Sequence, residues 1–221
     1  MSLILIIRVF VISIFCSASF GQDSISSSNF LYDSQRQKSM SLAVSYQNFE
    51  VSDSNFIGLA FEEEGGFNTD FRIYIYKNLF LGYTSGRTRF NVINQSIVGN
   101  YDSTELRERF LHIGYEFLPL TNLRLALNAA IYGEVRFQNK NEGREINTDT
   151  GNVHSFGVGL EYEIIKNLYL FGRYDYRIIN TNIAVPQDVQ SIFEKATYNA
   201  INFGIKYTVG NKDLLETLNI L

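Results

Sequence analysis

The chain has few of the residues on which disulfide scaffolds and metal centres depend. Its 221 residues include one cysteine, two histidines, two prolines and no tryptophan. One cysteine excludes an internal disulfide framework and a cysteine-based structural zinc site, and two histidines leave little for any other metal centre. The scarcity of proline suits long strands, because proline cannot donate to the hydrogen-bond ladder of a sheet. A net charge of −4 provides no basic footprint, so no nucleic-acid partner is expected.

A long apolar run is also missing, except at the N-terminus. Its centre, Val9 to Phe15, follows the basic residue Arg8 and precedes the small residues Ser17 to Ser19. This order is typical of a secretory signal peptide, so we expect cleavage after Gly21, with an uncleaved anchor as the alternative. The serine-rich residues 22–38 are interpreted as a flexible N-terminal lead-in.

What dominates the rest of the chain is alternation of apolar and polar residues with a period of two, which is typical of strands. The predicted strands are about 11 to 16 residues long. This exceeds the ~5–6 residues usual in soluble sheets and meets the ~9–11 tilted residues that cross a bilayer. They span residues 39–51, 66–76, 79–92, 105–117, 122–137, 152–165, 168–180 and 196–209.

The connections between these strands alternate in length. Tight turns are predicted at 77–78, 118–121 and 165–167, and long polar loops at 52–65, 93–104, 138–151 and 181–195. Short turns on one side and long loops on the other are typical of outer-membrane barrels. The sequence therefore predicts an all-β protein, an eight-stranded antiparallel up-and-down transmembrane β-barrel. It would be a monomer in the outer membrane of a Gram-negative cell, with extracellular loops and periplasmic termini.

A soluble barrel with its apolar face inside is the alternative to a membrane barrel. Three features favour the membrane: the uniform strand length, the small residues among the charges of the polar face, and aromatic residues near the short turns. A narrow lumen needs such small residues, and barrels in membranes carry girdles of aromatic residues at the interfaces. The aromatic residues concerned are Tyr115, Phe117, Tyr162 and Tyr207.

The last predicted strand carries the best local resemblance to known proteins. Asn202 to Val209 is similar to the closing strand of outer-membrane barrels, polar-x-Gly-x-x-hydrophobic-x-aromatic, with Val209 where an aromatic residue is preferred. Residues 39–209 resemble the OmpA/OmpX-like outer membrane protein β-barrel superfamily, through architecture more than through diagnostic residues. The resemblance implies that the barrel assembly machinery recognises the chain. Residues 210–221 would form a periplasmic C-terminal tail, either a short helix or disordered.

Alternation assigns thirteen charged residues to the interior of the barrel. Because an isolated buried charge costs several kcal/mol, the near balance of signs predicts salt-bridge networks that plug the lumen. A gated or proton-conducting pore is the alternative. The predicted lumen charges are Asp70, Arg72, Glu108, Glu116, Arg124, Glu134, Arg136, Glu161, Glu163, Arg173, Asp175, Arg177 and Lys206.

Four arginines are expected on the outer face near the long loops, namely Arg87, Arg89, Arg107 and Arg109. Pairing of the two strands would place Arg87 beside Arg109 and Arg89 beside Arg107. Guanidinium groups bind phosphates well, so the cluster predicts contact with lipopolysaccharide head groups. A solvated strand extension, partly neutralised by Glu105 or Glu108, is one alternative. The register of strand 79–92 is another, because a two-residue turn at 77–78 would turn Arg87 and Arg89 inward.

The sequence predicts no catalytic residues, no cofactor and no metal site. His154 and Ser155 are adjacent and would therefore point to opposite faces of their strand, while His112 is expected to point inward. The predicted role is structural or one of surface interaction: envelope integrity, adhesion or ligand contact through the loops. A narrow porin-like channel or transporter is the first alternative, and a lipid A-modifying enzyme is the second.

Overall fold

The computed structural model describes residues 30–51, 54–183, 185, 187 and 190–220, and the predicted signal peptide, residues 1–21, lies outside them. Eight strands pair antiparallel in chain order, and the first closes onto the last to complete a barrel. This confirms the predicted fold. The strands are β1 (Met40–Val51), β2 (Phe61–Tyr76), β3 (Leu79–Val92), β4 (Ser103–Leu120), β5 (Leu123–Asn141), β6 (Arg144–Ile165), β7 (Leu168–Thr181) and β8 (Lys195–Val209).

Two-residue turns join β2 to β3, β4 to β5 and β6 to β7 at one end of the barrel, which we call the turn end. The opposite loop end carries three short helices, α1 (Phe56–Ala60), α2 (Gln95–Val98) and α3 (Gln190–Glu194). No helix in the described part of the chain has the length and apolar character needed to cross a membrane.

One predicted long loop is a strand hairpin. β5 and β6 stay paired as far as Asn141 and Arg144, so most of segment 138–151 lies in the sheet. The connecting residues Glu142 and Gly143 have φ angles of 49° and 76°. A two-residue turn with positive φ at both positions matches the twist of the strands it joins. The loop end therefore has three long loops and one projecting hairpin.

A bulge in β5 reverses its two faces. Leu111 pairs with Tyr132 and His112 pairs with Ala130, which leaves Ile131 without a partner on β4. One extra residue moves every later side chain to the opposite face. Glu134 and Arg136 consequently point outward, whereas Val135 and Phe137 are buried inside.

The alternation elsewhere follows the expected pattern. In β1 the polar and small residues at odd positions, from Ser41 to Gln47, are buried, and the apolar residues between them are exposed. Repeated around the barrel, this leaves a continuous apolar band on the outside. Its exposed members include Leu42, Val44, Tyr46, Phe71, Leu81, Tyr83, Leu111, Ile113, Leu127, Phe156, Val158, Leu160, Tyr162, Leu170, Tyr174, Phe203, Ile205 and Tyr207.

Residues 30–38, the described part of the predicted N-terminal lead-in 22–38, pack across the turn end. The Phe30 carbonyl accepts a hydrogen bond from the Leu118 amide (2.7 Å), and its ring stacks on Phe117. A 3-10 helix, Ser34–Arg36, follows. The tail forms a four-residue helix, α4 (Leu214–Thr217), and Asp213 accepts hydrogen bonds from the amides of Lys77 and Glu216. Residues 30–38 and the tail are therefore attached to the turn end by specific contacts.

Candidate functional site

The barrel interior near the turn end is organised around Glu116. This carboxylate has no solvent exposure and accepts hydrogen bonds from Tyr74 Oη (2.6 Å), Arg72 Nη1 (3.0 Å), Arg124 Nη1 (2.7 Å) and Lys206 Nζ (2.9 Å). The second carboxylate of this cluster, Glu161, binds Arg72 and Lys206. Alternation brings these side chains together, because they project inward from five strands, β2, β4, β5, β6 and β8.

A second ionic cluster lies closer to the loop end. Asp175 binds Arg173 (3.0 Å) and Arg177 (3.2 Å), and Arg173 also reaches Asp70 (3.0 Å). The Glu108 carboxylate binds Arg177 and accepts a hydrogen bond from Tyr198 Oη. Each of these charged groups is therefore paired within the barrel.

Arg72 joins the two clusters into one network. Its Nε donates to Asp70 Oδ1 (2.7 Å), while Nη1 donates to Glu116 and Glu161 in the lower cluster. The joined network contains five cationic and five anionic side chains, all at least 96% buried, so the formal charges cancel. A neutral, fully connected network is what a low-dielectric interior requires.

His112 extends the network in a way that charge alternation does not reveal. It is fully buried, and its Nε2 lies 3.0 Å from Asp70 Oδ2. Space for the ring comes from Gly82 on the paired strand, where a Cβ atom would approach His112 Cε1 to 2.3 Å. Gln47, Asn68 and Asn202 add further hydrogen bonds to this cluster. In the sequence, only the inward position of His112 and these three amide side chains indicates that they belong to the network. They share that position with the charged residues.

Ten of the thirteen predicted lumen charges lie in this network, and three do not. Glu134 and Arg136 lie outside the barrel and pair with each other at 2.5 Å, because the β5 bulge reverses the face on which they were placed. Glu163 is half-buried at the turn end, where it accepts a hydrogen bond from the Asn167 amide (2.7 Å). The prediction of interior charges was therefore wrong at Glu134 and Arg136, whereas Glu163 shares the inward face of Glu161 and lies beyond the network at the turn end.

Apolar side chains fill the barrel above the ionic network. Phe49, Phe90, Leu106, Phe110 and Val135 project inward from the strands and belong to one buried cluster. Phe56 and Ile57 of α1 and Phe193 of α3 complete that cluster from the loops. The Asn55 side chain caps α1 by accepting the amides of Ile57 and Gly58. A cavity of about 150 Å³ remains between these loops, lined on one side by Phe56, Phe137 and Phe193.

The lead-in covers the other end of the ionic network. Arg124 Nη2 donates to the Arg36 carbonyl (2.6 Å), Gln37 Nε2 donates to the Lys77 carbonyl (2.8 Å), and Lys38 Nζ donates to Asn167 Oδ1 (2.7 Å). Burial lowers the pKa of Lys38, and the nearby Arg124 guanidinium lowers it further. The interior therefore has three layers, namely this cover, the ionic network and the apolar plug.

The outward arginines form a different arrangement from the one predicted. Arg87 lies opposite Arg107, and Arg89 lies opposite Glu105, so the pairing is shifted by two residues from the expected one. Arg107 also lies opposite Arg136 on the next strand. Three arginines thus form one row across β3, β4 and β5, with Arg109 two residues closer to the apolar band.

Glu105 binds this row from the loop-end side, two residues from Arg107 along β4. Its carboxylate is almost fully buried, with Oε1 bound to Arg107 Nε (2.6 Å) and Oε2 bound to Arg87 Nη2 (2.5 Å) and Lys140 Nζ (2.9 Å). Burial by itself would raise the pKa of Glu105, but the hydrogen bonds from Lys140, Arg107 and Arg87 lower it to about 2. The group is therefore charged at neutral pH.

The remaining candidate constellations are not assembled. His154 is exposed on the outside of β6, whereas Ser155 is buried inside. Among the described residues, no group of three or more His, Cys, Asp or Glu side chains is suited to a metal ion. The three consecutive glutamates at the start of β2 do not converge either: Glu62 and Glu64 are exposed, and Glu63 accepts a hydrogen bond from the backbone amide of Phe49.

Comparisons with known proteins find similarity only to solved structures. No family model and no curated protein match the chain. Neisserial surface protein A matches with a TM-score of 0.53 and 14% identity, over 76% of this chain and 94% of that one. The N-terminal β-barrel domain of Pseudomonas aeruginosa OprF gives 0.48 and 12%, over 77% and 98%. Ail, the attachment invasion locus protein of Yersinia pestis, gives 0.47 and 12%, over 78% and 99%.

The strand order, closure and likeness to Neisserial surface protein A establish the class. The chain has the fold of the small eight-stranded OmpA/OmpX-like outer-membrane barrels, as its sequence resemblance indicated. Identity at this level concerns the fold alone.

Proposed function

We propose that the protein is a monomeric outer-membrane barrel with a closed lumen, which acts through its outer surface and its loops. The observation that carries the proposal is the filled interior. Ten paired charges, an apolar plug and a cover at the turn end occupy the space through which a solute would pass. An eight-stranded barrel is just wide enough for such side chains.

The exposed apolar band supports residence in a membrane. A water-soluble barrel would bury its apolar face, but here leucine, isoleucine and aromatic side chains stay exposed on every strand. The outward apolar run of β6, Phe156 to Ile164, spans nine residues, which is close to the ~9–11 that cross a bilayer. Contact with membrane lipid follows from this band.

The orientation follows the usual asymmetry of such barrels. Short turns face the periplasm and longer loops face outward, so both chain ends of the barrel would be periplasmic. In this proposal the signal peptide, residues 1–21, is cleaved during export, and the barrel assembly machinery then inserts the chain into the outer membrane. The proposed role is envelope integrity, adhesion or ligand contact at the loop end, without catalysis.

Conductance measurements in planar bilayers test the closed lumen. Protein that shifts in mobility on unboiled gels, which reports a closed barrel, is expected to give no sustained single-channel openings. A large porin in the same bilayers serves as the positive control. Reproducible openings by the heat-modifiable protein would contradict the closed lumen and favour the narrow channel that the sequence left open.

A further inference from the structure

The arginine row formed by Arg87, Arg107 and Arg136 brings three like charges together on adjacent strands. Each lies directly opposite the next in the register of the sheet. Like charges in directly opposed positions destabilise a sheet unless something neutralises them. Glu105 and Glu134 are the carboxylates that contact the row.

The neighbourhood of the row remains cationic after these contacts are counted. Arg89, Arg109 and Lys140 raise the number of cations on this surface to six, against the four carboxylates Glu64, Glu105, Glu134 and Glu145. Arg109 has no ion-pair partner among the residues that the structure describes. A protein whose overall charge is −4 thus concentrates positive charge on one part of its outer wall.

The guanidinium groups are fixed in position and still accessible. Glu105 engages one nitrogen of Arg87 and the Nε of Arg107, and the side chains remain 58% and 41% exposed. Arg136 is bound through its Nε by Glu134 and is 51% exposed. Arg107, Arg109, Glu134 and Arg136 line one small cleft on the outer surface. Donors that point away from the carboxylates remain available for a second anion.

The position of the row indicates where that anion resides. Four residues further along each strand lie Tyr83, Leu111 and Tyr132, which form the upper edge of the apolar band. Four residues of strand correspond to roughly 13 Å, or about 9 Å along the membrane normal at a tilt of ~45°, which places the row at the outer margin of the head-group region, ~5–8 Å thick in each leaflet. The geometry points to a phosphate-binding row for a phosphorylated glycolipid of the outer leaflet, with forked contacts from Arg87, Arg107 and Arg136. This inference rests on the membrane placement proposed above.

Titration with diphosphorylated lipid A tests the row. The full-length protein in nonionic detergent would be titrated, and the bound lipid counted by native mass spectrometry. The triple variant Arg87→Gln, Arg107→Gln, Arg136→Gln is expected to lose at least about tenfold in affinity, because the forked contacts with phosphate are gone. A matched control, Arg144→Gln, Lys166→Gln, Lys195→Gln, removes the same charge from exposed sites elsewhere and should stay within about twofold of the parent.

Two further arms identify the source and the geometry of the contact. Lipid A without its phosphates should bind the parent as weakly as the triple glutamine variant binds the intact lipid. Inorganic phosphate at the same concentration should not displace the lipid, and displacement would overturn the assignment to a glycolipid. Replacement of the three arginines by lysine should weaken binding, because lysine keeps the charge but not the fork. Parental affinity in the lysine variant would contradict forked recognition.

The outcomes separate this inference from the proposed function. If the glutamine variant keeps its heat-dependent gel shift and binds lipid A as tightly as the parent, the arginine row does not bind the lipid phosphates, and the barrel proposal stands. If the parent protein shows no gel shift and stays in solution without detergent, the membrane barrel itself is wrong.

Discussion

Glu116 is the single residue on which the interior of the barrel depends most. Three cations and one phenol converge on its carboxylate, and none of them has access to water. Removal of one partner from a buried ionic group leaves the others uncompensated, which costs more than the pairing itself contributes. The network is therefore expected to respond strongly to changes at this position.

Replacement Glu116→Gln should lower the free energy of unfolding by about 3–5 kcal/mol, because Arg72, Arg124 and Lys206 would share one carboxylate fewer. Urea titration in lipid vesicles, followed by the fluorescence of the 14 tyrosines, measures the loss. Glu50→Gln at an exposed position of β1 is the control and should change stability by no more than ~0.5 kcal/mol. Equal losses in the two variants would argue against a buried network.

Glu63 gives the loop end a dependence on pH. Burial raises the pKa of its carboxyl from the ordinary 4.5 to about 7, and the hydrogen bond from the Phe49 amide offsets only part of the rise. A carboxyl whose pKa is higher in the folded state favours folding when protonated. Its contribution is therefore complete below about pH 4.5 and is lost as the pH rises through 7.

Hydrogen exchange at the Phe49 amide measures this effect. After correction for the intrinsic rate, exchange at pH 8 should exceed that at pH 5.5 by at least about threefold, a modest factor because the partly exposed group is screened by solvent. Glu63→Gln cannot ionise and should show the same corrected rate at both values. A pH dependence that survives in this variant would assign the effect to another group.

Among the elements, β5 shows how one residue controls the placement of a strand. The unpaired Ile131 separates a lower half, whose even-numbered residues face inward, from an upper half, whose odd-numbered residues do. The bulge puts Val135 and Phe137 into the apolar plug and Arg136 into the outer row. The plug and the row both depend on it.

Deletion of Ile131 should leave both halves of β5 in place. Without the extra residue, continuous alternation keeps Val135 and Phe137 inside and Glu134 and Arg136 outside. Deletion of Tyr174 from β7, where the register is unbroken, instead turns Asp175 and Arg177 out of the ionic network and should prevent refolding. The measurement is the fraction of protein with the heat-dependent gel shift after refolding, and an Ile131 deletion that refolds as poorly as the Tyr174 deletion would contradict the assignment of Ile131 as the extra residue.

The elements differ in how far their sequences predict them. The period-two pattern of β1, β7 and β8 is unbroken, so their bounds and faces follow from the residues alone. Residues 129–133, with the sequence Ala-Ala-Ile-Tyr-Gly, contain no charge that would mark a change of face. The bulge therefore leaves no trace in the alternation of apolar and polar residues. Segment 138–151 is polar on both faces because it projects beyond the barrel, so it has the composition of a loop although it is paired.

At the scale of the whole molecule, three layers close the lumen in series. The cover of residues 30–38, the ionic network and the apolar plug involve different residues and different interactions. Loss of one ion pair would therefore leave two layers intact. Because these three layers fill the lumen, the groups that are able to bind other molecules are exposed on the outer wall and not in the interior.

The exposed apolar band makes a prediction for the whole molecule in a bilayer. Spin labels at Ile113 and Leu125, both on the outward face, should collide readily with dissolved oxygen and rarely with a water-soluble nickel complex, because acyl chains surround them. A label at Arg144, on the tip of the projecting hairpin, should show the opposite preference. Frequent nickel collisions at Ile113 and Leu125 would mean that water covers the band, and then neither the membrane barrel nor the lipid site on its wall could stand.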